Sequence, residues 1–515
     1  MKILWIDDEI DLLKLQIIFL EQKGYSVATA SNGIDALEII KKENFDIIFL
    51  DENMPGLTGI ETLEKIKIIT PAVPIVMITK SEEENIMEDA IGSKIADFLI
   101  KPVNPNQILL VLKKILEKNR IVTQKVTTAY QSNFTKLGME INETFNFEQW
   151  KDLYKKLVHW ELKLSESEDS VMDEVLLLQQ NEANNCFAKF IKKTYKSWFD
   201  KNNENIPLLS PNLMSKKVFP LLKNDEKVVF LLLDNLCYDQ WKVIEPLISQ
   251  YYNVEEEDLY YSILPTSTQY SRNSIFSGLM PLAINDLYPD LWKNDDEEGG
   301  KNLYEEEMLL NLMRRYNIQS KLVFEKLLDV NYTKKITDNI HTIMNNNFVV
   351  LIVNFMDALS HASTDQKSIK EIASTMTGYR AVTKSWFEHS SIFEILRILS
   401  KYDFKLVIST DHGSIRITDP VKVVGDRATT TNLRYKQGKN LNYNPKEVYE
   451  ILKPEDIQLP RTNISSTYIF ACNNDFLVYP NNYSHFVKYY KDSFQHGGIS
   501  LEEILIPIIT LSPKK

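Results

Sequence analysis

Apolar and polar positions along residues 1–118 follow two alternating rhythms. Short apolar runs at Lys2–Ile6, Tyr25–Ala30, Asp46–Leu50, Pro74–Ile78 and Asp97–Ile100 predict strands. Between them apolar residues recur near i, i+3 and i+4, as in Asp11–Leu20, and predict helices. Five strands, each followed by a helix, predict a doubly wound parallel sheet with reactive groups at the carboxyl ends of its strands. Residues 119–205 lose this pattern: Gly138 is the one glycine, and no proline occurs before Pro207. Trp150, Leu153, Leu157, Trp160, Leu162 and Leu164 predict a buried helical face, as do Val175–Leu178, Phe187, Phe190 and Ile191. This stretch reads as a helical-bundle connector. Buried-type strands return in residues 206–515 at Val228–Leu233, Phe348–Val353, Lys405–Ser409 and Thr467–Ala471, which predicts a second, larger α/β domain. The acidic runs Glu255–Asp258 and Asp295–Glu298 read as solvated loops.

Length agrees with several domains, since 515 residues exceed what one core supports. A formal net charge of -12 argues against a surface that coats nucleic acid, which needs a basic field. Three scattered cysteines, Cys186, Cys237 and Cys472, suit neither a disulfide framework nor a thiolate zinc site. Lys2–Ile6 is followed at once by Asp7, Asp8 and Glu9, which breaks a secretory apolar segment, and no apolar run approaches the length of a membrane span. The expectation is a cytoplasmic protein without direct membrane insertion.

Chemistry gathers first at the predicted strand ends of residues 1–118. Asp7 and Asp8 follow the first strand, Asp51 the third, Thr79 the fourth and Lys101 the fifth. Three carboxylates on one sheet edge repel unless a divalent cation shares them, and an all-oxygen site of this kind suits Mg²⁺. A carboxylate beside that ion can accept a phosphoryl group whose charge is met by the ion, Lys101 and the Thr79 hydroxyl. The set resembles the receiver domain of response regulators. The resemblance implies phosphorylation on Asp51, Mg²⁺ held by Asp7, Asp8, Asp51 and Asn53, a switch made by Thr79, Phe98 and Lys101, and a histidine kinase as phosphodonor. It also implies a cis peptide at Lys101–Pro102.

The larger domain repeats an apolar strand that ends in a metal-ligand type: Asp234, then Asp357 with His361, then Asp411-His412-Gly413, and finally His496-Gly497-Gly498. Carboxylate and imidazole without cysteine suit a hydrolytic metal pair. The order of these elements resembles the alkaline phosphatase superfamily, which includes phosphodiesterases and PglZ domains. In that superfamily a nucleophile stands ten positions before a glycine that ends a short helix, and counting back from Gly278 gives Thr268. By this resemblance one Zn²⁺ takes Asp357, His361 and His496, and a second takes Asp234, Asp411, His412 and the Thr268 oxygen. Thr268 is then the catalytic nucleophile, Arg272 offers a cationic fork to the transferred group, and Asn235 donates to a non-bridging oxygen. The basic segment Asp426–Lys446, with Arg427, Arg434, Lys436, Lys439 and Lys446, is either a phosphate-gripping flap or a solvated loop.

A receiver, a helical connector and a PglZ-type domain in this order resemble PorX-type response regulators. That resemblance implies control of type IX secretion, contact with a sigma factor or a secretion-motor component, and phosphodiesterase activity toward oligonucleotide or nucleotide phosphoesters. Phosphorylation is expected to favour a homodimer. Two other readings remain open: a catalytically silent, zinc-stabilised module that binds protein partners, and a DNA-binding regulator. The second lacks a basic helix-turn-helix to carry it.

Overall fold

A computed structural model describes residues 1–515 except 72, 81–94, 117, 167–169, 296, 328–329, 339, 374, 427–428 and 515. The chain divides into two compact units, Met1–Ala129 with Glu166–Glu168, and Tyr130–Ser165 with Asp169–Lys515.

The first unit is built on five parallel strands: β1 (Lys2–Ile6), β2 (Ser26–Ala30), β3 (Ile47–Asp51), β4 (Ile75–Thr79) and β5 (Asp97–Ile100), in the order β2-β1-β3-β4-β5. Side chains leave a strand alternately to its two faces, so each strand feeds two cores. Ile3, Trp5, Phe49, Val76 and Ile78 fill one core, and Leu4, Ile6, Ile48, Leu50 and Met77 fill the other. Helices cover both faces, and the uninterrupted apolar runs follow from that. Among them are Lys14–Gln22, Gly33–Ile40, Gly59–Ile69 and Pro105–Leu116. Thr58 starts Gly59–Ile69 with a reciprocal cap, accepting from Glu61 N while Glu61 accepts from Thr58 N.

In the second unit the helices Phe147–Ser165 and Ser170–Thr194 pack through Trp150, Leu153, Leu157, Phe187 and Ile191, with the Trp150 and Phe187 rings 5.2 Å apart. Leu177 and Leu178, expected inside, are exposed instead. They lie on the side of their helix opposite Leu176 and Gln179, which are the residues that turn inward. The helix Lys118–Glu143 runs across the division between the units.

The main sheet of this unit contains β6 (Lys227–Leu233), β7 (Tyr252–Tyr261), β8 (Leu322–Leu327), β9 (Phe348–Val353), β10 (Phe404–Ser409) and the strand Leu505–Pro513. Its order is β7, Leu505–Pro513, β10, β6, β9, β8. The strands β10, β6, β9 and β8 are parallel, so their carboxyl ends share one edge. The acidic run Glu255–Asp258 is part of β7 rather than a loop. Each of three carboxylates there meets a lysine, Glu255 with Lys405, Glu257 with Lys242 and Asp258 with Lys151, which makes a charged edge strand tolerable.

The segment Asp426–Lys446 is neither a flap of free cations nor a solvated loop. Tyr435–Gly438 is a strand paired with Thr467–Ala471, Arg434 is fully buried on Glu503, and Lys436 is buried under the Tyr479 ring. Lys439 and Lys446 are exposed, and Arg427 lies outside the described residues. No described helix is long and apolar enough to cross a membrane.

Candidate phosphoryl and metal centres

At the carboxyl edge of the first sheet, Lys101 Nζ stands 2.9 Å from Asp7 Oδ2 and 2.9 Å from Asp51 Oδ1. Asp7, Asp8 and Asp51 present carboxylate oxygens within 4.8 Å of one another, with Asp7 and Asp51 buried and Asp8 exposed. Burial raises the Asp51 carboxyl to about 6, with Asp7 adding to the rise and Lys101 opposing it. A cation among the three would remove that penalty. Thr79 is buried at the end of β4, Phe98 is half-exposed in β5, Asn53 is exposed in the turn after β3, and Lys101–Pro102 is cis. Gly59 allows the next helix to approach, since a Cβ there would sit 2.4 Å from the Asp51 carbonyl oxygen.

At the carboxyl edge of the second sheet, Asp234 follows β6, Asp357 follows β9 and Asp411 follows β10. Two groups of ligand-type atoms form there, Asp234 with Asp411 and His412, and Asp357 with His361 and His496. They adjoin through the stacked rings of His412 and His496, whose centroids are 4.0 Å apart. His496 Nε2 is 3.5 Å from Asp357 Oδ1, and His361 Nε2 is 3.6 Å from Asp357 Oδ2. The His496 Nδ1 faces the Thr266 carbonyl at 3.1 Å, which fixes the ring with Nε2 toward the carboxylate. His361 is largely exposed, on the helix Phe355–Asp365.

Thr268 opens the helix Thr268–Ser277, which stops at Gly278 in the left-handed region, φ 64°. Its Oγ1 is 3.1 Å from His412 Nε2. Asn302 Nδ2 donates to the Thr268 carbonyl, and Thr266 Oγ1 accepts from Gly497 N, which ties the nucleophile segment to the histidine loop.

Electrostatics suit cation binding in both groups. Burial pushes Asp234 well above the usual carboxylate range despite Arg272, whereas Arg272 and His412 overcome the same burial at Asp411 and hold it low. Burial and then His496 push His412 down to about 4, so it is a neutral ligand near pH 7. Burial opposes charge on Asp357 too, but His496 and His361 hold it well below its ordinary value. Among the described residues, Asp234 Oδ1, Asp357 Oδ1 and both amide atoms of Asn235 are buried without hydrogen-bond partners. Such orphaned oxygens fit a pair of divalent cations.

Arg272 departs from expectation. Its guanidinium does not open toward an incoming group. It is fully buried, contacts Asp234, and lies 2.9 Å from Asp411 and 3.8 Å from Glu305. A cation trapped between two carboxylates neutralises them, which explains the inward pose. Glu305, also buried and paired with Lys326, carried no sequence signal, being one of three glutamates in a row. Arg434 with Glu503 was equally hidden. Glu503 accepts from Gly498 N at 2.8 Å and from Arg434 Nη2 at 2.6 Å, and so braces the loop that carries His496.

Comparison with known proteins assigns three family models. Residues 3–113 match the response regulator receiver domain, residues 120–199 the PorX response regulator linker domain, and residues 213–511 the BREX system PglZ alkaline phosphatase-like domain. The transcriptional regulatory protein ZraR of Klebsiella oxytoca is 33% identical over 136 residues, 26% of this chain and 31% of that protein. The alginate biosynthesis transcriptional regulatory protein AlgB of Pseudomonas putida is 34% identical over 120 residues, 23% of this chain and 27% of that protein. The chain therefore spans about a third or less of these curated relatives. Among solved structures, the chemotaxis protein CheY4 of Vibrio cholerae is 31% identical, covering 22% of this chain and 97% of its own, with a TM-score of 0.22. With the PglZ model matching more than half of its length, the chain belongs to the PglZ family of alkaline phosphatase-like domains, in the receiver–linker–PglZ architecture of PorX-type response regulators.

Proposed function

We propose that this protein is a response regulator phosphorylated on Asp51 whose PglZ unit is a two-zinc phosphodiesterase or phosphatase acting on nucleotide or oligonucleotide phosphoesters. The observation that carries the reading is Thr268 Oγ1 at 3.1 Å from His412 Nε2, inside one ligand group and beside the second. Zinc held by Asp234, Asp411 and His412, and by Asp357, His361 and His496, would supply the positive charge that makes a threonine hydroxyl acidic and meets the phosphoryl oxygens. The Thr268 hydroxyl gives its proton to solvent and bonds to phosphorus as the ester oxygen departs with its electron pair and takes up a proton; water then adds to phosphorus and the Thr268 oxygen leaves as the hydroxyl again. Thr268 stands at the N-terminus of the helix Thr268–Ser277, where the helix dipole favours an incoming anion. Asn235, whose amide has no partner among the described residues, donates to a non-bridging oxygen.

In the receiver unit Asp7, Asp8, Asp51 and Asn53 hold Mg²⁺, and Thr79, Phe98 and Lys101 respond to the phosphoryl group. A histidine kinase supplies phosphate in the cytoplasm. Phosphorylation favours a homodimer, and the output regulates type IX secretion through a sigma factor or a secretion-motor component. The helix expected after β4, part of the face expected to pair in the dimer, lies outside the described residues.

The test compares zinc content and cleavage of a panel of dinucleotides in the parent and in Thr268→Ala. Cleavage by the parent and none by a variant that keeps its zinc supports the enzyme. A second reading, a silent zinc-stabilised module acting through protein partners, is favoured by Arg272 lying across Asp234 and Asp411. It predicts about one zinc per chain and no cleavage of any ester by the parent.

A further inference from the structure

Behind the candidate metal edge, the second unit encloses a cavity of about 310 Å³ whose chemistry the phosphoesterase reading does not use. Tyr154 and Val158 of one helix, Asn184 of the next, and Met376 form its walls. Its floor is Ser414 and Ile415, which continue directly from Asp411-His412-Gly413.

The charges around it do not balance. Glu161 and Asp239 share Arg380, and Arg416 is 2.9 Å from Asp492. Glu502 has no cation paired with it among the described residues. Its carboxylate receives the Asn184 amide at 3.1 and 3.3 Å. Asp419 adds a further carboxylate at the rim. Burial first, and then Glu502, Cys237, Asp239 and Glu161, push the buried Tyr154 hydroxyl upward. Ser414 adds an independent sign of a missing partner: it is 1% exposed, and its Oγ has no hydrogen bond among the described residues.

We infer that this cavity binds a small organic cation, a primary ammonium on a short carbon chain, with the charge against Glu502, the ammonium or a second polar group at Ser414, and the chain along Tyr154, Val158 and Met376. The volume lies at the lower end for small-molecule sites. An anion is disfavoured by the carboxylate surplus. A divalent metal is disfavoured because Glu161 and Asp239 are held by Arg380, which leaves Glu502 and the rim residue Asp419 rather than a converging set of carboxylates. Occupancy would reach the metal edge through the backbone, because Gly413 packs so closely on Glu502 that a Cβ would lie 2.1 Å from the Glu502 carbonyl oxygen.

The test is calorimetric titration of the full chain at pH 8, where Glu502 is ionised, with 1,4-diaminobutane, and with 1,4-butanediol and sodium chloride of matched ionic strength as comparisons. Saturable binding with Kd of about 1 mM or tighter is expected for the diamine alone. Glu502→Gln should weaken it at least tenfold. Leu177→Lys places a cation on an exposed position at the rim and should also weaken binding without a buried change. Absence of saturable diamine binding, an equal response to the diol or the salt, or unchanged affinity in both variants would overturn the inference. None of these outcomes depends on phosphoester cleavage.

Discussion

The most informative perturbation is Arg434→Met. Arg434 and Glu503 are both fully buried, and they meet through two contacts, Nε to Oε1 at 3.1 Å and Nη2 to Oε2 at 2.6 Å. Removing the guanidinium leaves an uncompensated carboxylate in the interior, with Gly498 N as the remaining donor to its oxygens among the described residues. Breaking a buried pair from one side costs about 3–5 kcal/mol. Glu503→Gln keeps an acceptor for Gly498 but strips the buried guanidinium of its counter-charge, and should also cost about 3–5 kcal/mol. The double variant should lose less than the sum of the two by at least about 1 kcal/mol, because it leaves no unpaired charge in the interior. The assay is urea unfolding in chelator, so that metal binding does not mask the change. Zinc affinity measured by chelator competition should fall in Arg434→Met, since the braced loop carries His496. A loss below about 1 kcal/mol, or strict additivity, would refute the view that this pair holds the loop.

Three further outcomes follow from the same structure. Burial, reinforced by Glu161, raises the Glu502 carboxyl from 4.5 to about 7, so the folded state prefers it protonated. Stability should therefore fall as pH rises from 4.5 through 7, by up to about 3 kcal/mol, and Glu502→Gln should flatten that part of the urea-midpoint profile. Gly413→Ala places a Cβ against backbone at Glu502 and should reduce both stability, by about 2 kcal/mol or more, and zinc retention, read by unfolding and elemental analysis. Asp51→Asn should abolish acid-labile phosphate incorporation from acetyl phosphate, while Asp97→Asn, whose carboxylate pairs with Lys114 on the surface, should leave incorporation within about twofold.

The receiver was legible because Asp7, Asp51, Thr79 and Lys101 each stand directly after an apolar run, so linear position already encodes the edge of the sheet. Asp234, Asp357 and Asp411 were legible for the same reason. β7 was not. Its Glu255–Asp258 stretch lacks apolar alternation, and the lysines that make it tolerable, Lys151, Lys242 and Lys405, come from distant segments. Arg434 and Lys436 looked like surface cations because composition reports charge and not its partner. Arg434 enters the core only because Glu503, 69 positions away, follows it there. The inward turn of Arg272 was hidden similarly, since helical spacing from Thr268 sets its proximity to the site but not which carboxylate claims it.

The strand Leu505–Pro513 lies between β7 and β10, antiparallel to both. A nascent chain halted before residue 505 therefore holds two strand borders facing a gap, each with unpaired backbone amides and carbonyls. The Asp411-His412 turn leaves the end of one of those borders. Quality control during synthesis would meet an adhesive half-sheet until that strand is in place, and products shortened before it should be removed or aggregate rather than persist as partly working domains.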